Sequence, residues 1–120
     1  MIKRVKFVGL TVKDFDKALD FYTNKLGFEV LSNQPAGPGR WIELRIPGAD
    51  TQVVLSGFGS PPDPKSQMPA VVFAVDDLDA TYEELKKKGV DFTQAPRKES
   101  WGSSAMFRDP DGNLVLLSTL

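Results

Sequence analysis

Apolar and polar residues alternate, then recur at helical spacing, then alternate again, and this succession is used twice along the chain. The first copy reads FVGLTVKDFDKALDFYTNKLGF from Phe7, and the second reads AVVFAVDDLDATYEELKKKGVDF from Ala70. Residues 5–12 alternate and are rich in β-branched types, which predicts a strand. Asp14 is placed to cap a helix, with Asp16 in its first turn. Phe15, Ala18, Leu19, Tyr22 and Leu26 then share one helical face, and Gly27 supplies the left-handed residue that ends it. Residues 28–31 predict a strand and Gly37-Pro38-Gly39 a turn. Residues 41–46 and 51–55 predict a hairpin across 47–50. The pattern restarts with a strand at 70–75, a cap at Asp77, a helical stripe of Leu78, Tyr82 and Leu85, and a stop at Gly89. Strands follow at 90–93, 104–108 and 113–117, the last two joined by an Asp109-Pro110-Asp111-Gly112 turn.

The order is βαβββ twice, with mostly antiparallel neighbours, so the fold class is α+β. The modules are residues 1–56 and 69–120, joined by a linker at 57–68 that is rich in Gly, Pro and Ser. Each is too small to bury a good core alone, so the two are expected to pair as one domain spanning 1–120. The expected architecture is one curved mixed sheet with a cavity and with helices on the outer face.

Strand alternation sorts the residues onto two faces. One set is almost wholly apolar and includes Leu10, Val12, Ile42, Leu44, Val53, Leu55, Phe107 and Val115, which suits packing against the helices. The other is mixed: Phe7, Gly9 and Thr11; Trp41, Glu43 and Arg45; Gln52, Val54 and Ser56; Ser104, Met106 and Arg108. A solvent face would carry fewer large apolar groups, and a closed core would carry fewer charges. An apolar surface with a few polar groups suits a small-molecule pocket. The competing explanation is a half-exposed sheet that simply dimerises.

Charge narrows the partners. With 15 basic and 16 acidic residues the net charge is −1, which gives no basic excess to attract nucleic acid or an acidic membrane surface. The densest basic run, Lys86 to Lys88, sits at a helix C-terminus, where cations favour the dipole. The N-terminal apolar run is too short for a signal peptide or a membrane span. The chain has no cysteine, so disulfides, thiolate nucleophiles and zinc-thiolate sites are excluded, and a cytoplasmic location is expected. It has no histidine either, which removes the usual general base and the commonest metal ligand.

The doubled βαβββ order carries a V-x-D-x-x-x-A-x-x-F-Y-x-x-x-L-G-F segment (Val12, Asp14, Ala18, Phe21, Tyr22, Leu26, Gly27, Phe28) and an F-R-D-P-D-G-N segment (Phe107 to Asn113). In this it resembles the vicinal oxygen chelate superfamily, which includes glyoxalase I, extradiol dioxygenases and the bleomycin-resistance proteins. The resemblance covers nearly the whole chain. It implies metal ligands on the first and last strand of each module, usually His and Glu. The matching positions here are Phe7, Val54, Ala70 and Leu116. None offers the imidazole or carboxylate that a divalent metal needs, so no metal and no cofactor is expected. The Asp76-Asp77 and Asp109/Asp111 pairs are read as a helix cap and a turn.

The Trp101-Gly102 step before F-R-D-P-D-G-N is similar to the antibiotic-binding branch. That resemblance implies a metal-free homodimer sequestering a drug in grooves at the subunit interface. Phe7, Trp41, Trp101 and Met106 are the expected walls, since large flat side chains suit planar ligands, although both tryptophans equally suit packing or a dimer contact. Glu43, Arg45 and Arg108 are the expected polar contacts; the alternative is that Glu43 pairs with an arginine on a neighbouring strand. Glu43 is also the one candidate general base on the mixed face. Three functions are open on the sequence: a metal-free binder of an aromatic or amphipathic compound such as an antibiotic; a lyase, isomerase or dioxygenase with an atypical or absent metal; and an interaction module whose cavity is filled by its own side chains.

Overall fold

The computed structural model describes residues 1–120. It divides into two compact units, Met1–Pro62 and Asp63–Leu120. The α+β class and the doubled βαβββ order expected from the sequence are both present.

The first unit contains β1 (Phe7–Thr11), α1 (Phe15–Asp20), β2 (Glu29–Ala36), β3 (Gly39–Arg45) and β4 (Gln52–Ser56). Its four strands form one sheet in the order β1-β4-β3-β2. β1 and β4 run parallel, while β4, β3 and β2 are antiparallel neighbours. The Asp14 carboxylate accepts from the Lys17 amide at 3.0 Å, the N-cap bond the sequence predicted. The helix then departs from expectation. Residues Phe21–Lys25 form a π-helical turn, closed by the Leu26 amide on the Phe21 carbonyl at 3.1 Å. The segment from cap Asp14 to stop Gly27 is one residue longer than that from Asp77 to Gly89, and the wider turn absorbs the extra residue. Tyr22, at 0% exposed, lies in this turn. Its ring stacks on Phe28 and meets Phe21 edge-on.

The second unit contains β5 (Val71–Val75), α2 (Leu78–Lys87), β6 (Phe92–Glu99), β7 (Gly102–Arg108) and β8 (Leu114–Thr119), with sheet order β5-β8-β7-β6. The topology repeats that of the first unit, including its single parallel pair. Asp77 caps α2 by accepting from the Ala80 amide at 3.0 Å. The helix ends in a Schellman turn: Val90 N–H donates to the Leu85 carbonyl and Gly89 N–H to that of Lys86. Gly89 has φ +92°, the left-handed conformation that makes glycine the natural residue there. Leu85 and Val90, the apolar pair of this motif, are both buried.

Leu10, Val12, Ile42, Leu44, Val53 and Leu55 are buried in the first unit, as are Ala105, Phe107, Val115 and Leu117 in the second, matching the apolar face predicted by alternation. In the second unit Tyr82 of α2, Phe92 of β6 and Phe107 of β7 form a chain of edge-on rings with centroids 4.6 and 5.4 Å apart. β2 and β6 are longer than predicted, each running through a proline, Pro35 and Pro96. Both strands lie at a sheet edge, where a missing backbone donor is tolerated.

The turn after β7 is fixed by one buried carboxylate. Asp109 Oδ1 accepts from the amides of Asp111 and Asn113 at 3.0 and 2.9 Å, and Oδ2 accepts from Asn113 Nδ2 at 2.9 Å. Asp109→Ala removes the acceptor of three bonds, two of them from Asn113. The expected loss is about 2–4 kcal/mol, read by urea unfolding, and Asp109→Asn is expected to cost less because it keeps one acceptor oxygen.

Candidate functional site

Register fixes which side chains of the first unit share the mixed face. The rows across its sheet are Phe7, Gln52, Arg45, Glu29; then Gly9, Val54, Glu43, Ser32; then Thr11, Ser56, Trp41, Gln34. Phe7 and Trp41 start from opposite outer rows, and their rings meet edge-on with centroids 5.6 Å apart. They meet above the middle row, where Gly9 contributes no side chain, which accounts for Val54 being 1% exposed. The ring of Phe58 lies 6.3 Å from that of Trp41 on its other flank.

Phe58 is part of this cluster, although the sequence places it in the stretch read as linker. Two bonds hold its backbone: its carbonyl accepts from Thr11 Oγ1 at 2.6 Å, and its amide donates to Ser56 Oγ at 3.3 Å. Its ring rests on the β2–β3 turn, where a Cβ added at Gly37 (φ +53°) would fall 2.3 Å from it. The signal available in the sequence was a lone aromatic among Gly, Ser and Pro, two residues beyond a strand whose face is already aromatic.

Trp41 and Glu43 are two apart on β3 and so share its face. Trp41 Nε1 donates to Glu43 Oε2 at 3.0 Å. Arg45, next along the same face, forms an ion pair with Glu29 across the β2–β3 ladder. The expected alternative of a Glu43–arginine pair is therefore corrected. The acid binds the indole, and the arginine is held by the edge strand, because the bulge in β2 brings Glu29 directly opposite Arg45.

Within the first unit Phe7, Trp41 and Glu43 thus come together, while Arg45 faces solvent beside them. In the second unit the expected residues are spread along one hairpin. Trp101 lies at the β6–β7 turn and is 61% exposed, and Met106 lies mid-strand opposite Gln94 and Leu116. Arg108 donates to the carbonyls of Gly112 at 3.0 Å and Ser66 at 2.7 Å, tying the segment ahead of β5 to the turn after β7. Its guanidinium thus has a structural task in addition to the ligand contact expected of it.

The side chains at the superfamily's metal positions do not fit a metal. Phe7, Val54, Ala70 and Leu116 carry no nitrogen or oxygen donor, and nowhere do three or more His, Cys, Asp or Glu side chains converge as a metal site requires. Two surface depressions, of about 550 Å³ beside Lys13, Asp14, Phe15, Asp16 and Arg40 and about 400 Å³ beside Tyr82, Lys86, Val90, Asp91 and Phe92, include none of the predicted site residues.

The sequence profile of the Glyoxalase/Bleomycin resistance protein/Dioxygenase superfamily matches residues 4–117. The chain belongs to this superfamily. Among its relatives is the uncharacterized protein YetH of Bacillus subtilis (strain 168), 36% identical, with 98% of each chain covered. Among solved structures it is similar to TnmS3, an antibiotic binding protein from Streptomyces sp. CB03234. The identity is 37% and the TM-score 0.85, with 98% of this chain and 96% of that one covered. It is also similar to UcmS2, at 34% identity and TM-score 0.82, with 98% of both chains covered. No helix is long and apolar enough to cross a membrane.

Proposed function

We propose that this superfamily member is a metal-free binding protein that sequesters a planar aromatic or amphipathic small molecule, such as an antibiotic. The observation that carries the reading is the cluster of Phe7, Trp41 and Phe58 on the face of the first sheet opposite its core. Phe7 and Phe58 remain 40% and 48% exposed, a standing cost for large apolar groups. Covering the exposed part of each ring removes on the order of 80–100 Å² from water, worth roughly 2 kcal/mol per ring. The indole is already oriented by its bond to Glu43, so little side-chain freedom is lost when a ligand stacks on it. The similarity to TnmS3 supports the same reading. Met106 and the exposed Trp101 are proposed as further ligand contacts in the second unit. A cytoplasmic homodimer is the form we propose for the chain, on the resemblance described from its sequence.

The test is a titration of tryptophan fluorescence with planar antibiotics, run beside thermal shift with divalent metals and a chelator. A saturable quench together with a raised melting temperature, unchanged by the chelator, is the expected outcome. Stabilisation by a metal that the chelator reverses, with no response to any aromatic compound, would overturn it in favour of a metal-dependent enzyme. Sedimentation at micromolar concentration checks the dimer.

A further inference from the structure

Glu43 is the one acidic group set within the aromatic cluster, and its charge is not balanced there. Only its Oε2 is engaged, by Trp41 Nε1; its Oε1 makes no hydrogen bond within the chain. The ion pairs Arg45–Glu29, Lys88–Glu84 and Arg97–Glu99 do not include it. Arg45, the basic residue nearest along the strand face, is held by Glu29. A part-buried carboxylate is therefore bonded to Trp41, the ring that the half-exposed Phe7 and Phe58 both touch, with no cation of its own.

This arrangement is selective by charge. A neutral ligand stacking on the rings strips water from Glu43 and returns nothing to it. An anion adds repulsion. A cation restores the lost hydration with an ion pair and gains further from the ring faces, of which indole is the strongest. The hydrogen bond from Nε1–H to a carboxylate pushes electron density into the indole and strengthens that attraction.

We infer that the ligand is a planar aromatic cation, its charge seated between Glu43 Oε1 and the face of Trp41. The inference rests on the binding reading above and narrows it to a chemical class.

The test uses three tricyclic probes of nearly equal size: 9-aminoacridine (cation), 9-anthracenemethanol (neutral) and 9-anthracenecarboxylate (anion). Each is titrated into the wild-type chain by isothermal calorimetry, which needs no tryptophan reporter. The expected order is cation, then neutral, then anion, with roughly a tenfold step between the first two at low salt that shrinks as salt is raised. Glu43→Gln keeps the shape and an acceptor for Trp41 Nε1. It is expected to abolish the cation's advantage, lowering the cation's affinity and raising the neutral probe's, because a neutral amide costs less to desolvate than a carboxylate. Equal affinity for all three probes, or a preference that survives Glu43→Gln, would overturn the inference and leave the binding reading standing. No binding of any probe would overturn both. Folding of each variant is verified by circular dichroism before titration.

Discussion

Trp41→Ala abolishes ligand binding, with a loss of about 100-fold or more in affinity, about 3 kcal/mol, as expected for a central aromatic contact. Two effects combine. The ring that links Phe7 to Phe58 disappears, so the ligand loses its middle platform and the flanking rings lose their shared neighbour. Glu43 also loses the donor that holds Oε2. Trp41→Phe separates the two contributions. It keeps a ring but no N–H, and is expected to cost about tenfold, near the worth of one hydrogen bond to a charged group. Both variants are expected to stay folded, with Trp41→Ala lowering the melting temperature more than Trp41→Phe, because the ring packs against Phe7 and Phe58 over the row that holds Val54. Wild-type affinity in Trp41→Ala, measured by calorimetry because the reporter is gone, would remove the cluster from consideration as the site.

Phe107→Ala has the opposite profile. Its ring is 0% exposed and closes the chain of edge-on contacts that runs from Tyr82 on the helix through Phe92. Truncation removes the transfer energy of a whole ring and leaves a cavity that sheet and helix can only partly collapse around. The expected cost is about 3–5 kcal/mol, a third or more of the stability of a typical domain. For a chain of this length that corresponds to a fall of about 10–20 °C in melting temperature. Differential scanning calorimetry checks it. A fall of only a few degrees would mean that the helix of the second unit contributes little to its cooperative core.

The two profiles separate binding from folding, and the sequence distinguished them through strand alternation. Val53 and Leu55 point one way and Val54 the other, and most of the predicted apolar face is buried, with Val8, Ile46, Phe73 and Val75 half-buried. Helix caps and stops were equally legible, since Asp14, Asp77 and Gly89 act through local backbone bonds that need no tertiary context. Other features were hidden. The π-helical turn leaves no mark in apolar spacing, because Phe21 and Tyr22 serve a wide turn as readily as a narrow one. β2 and β6 ran past their predicted ends, since these edge strands carry polar residues and a proline where apolar alternation would mark a strand. For the site, alternation placed Phe7, Trp41 and Glu43 together. It could not show that Arg45 would turn to Glu29, because that choice depends on a bulge in the edge strand. The bonds of Arg108 were hidden for a related reason: its carbonyl partners are backbone atoms, which carry no signature in side-chain pattern.

The Phe58 ring occupies the space a side chain at position 37 would need. Position 37 is therefore free to change only after position 58 has. A substitution at 37 is excluded while an aromatic stands at 58, since it would have to adopt a left-handed backbone and evict the ring at once. If residue 58 becomes small, the steric bar at 37 lifts and only the backbone demand remains. Across descendants of this chain, the loss of that glycine would thus be a sign that the aromatic beside it, and with it the cluster, had already been given up.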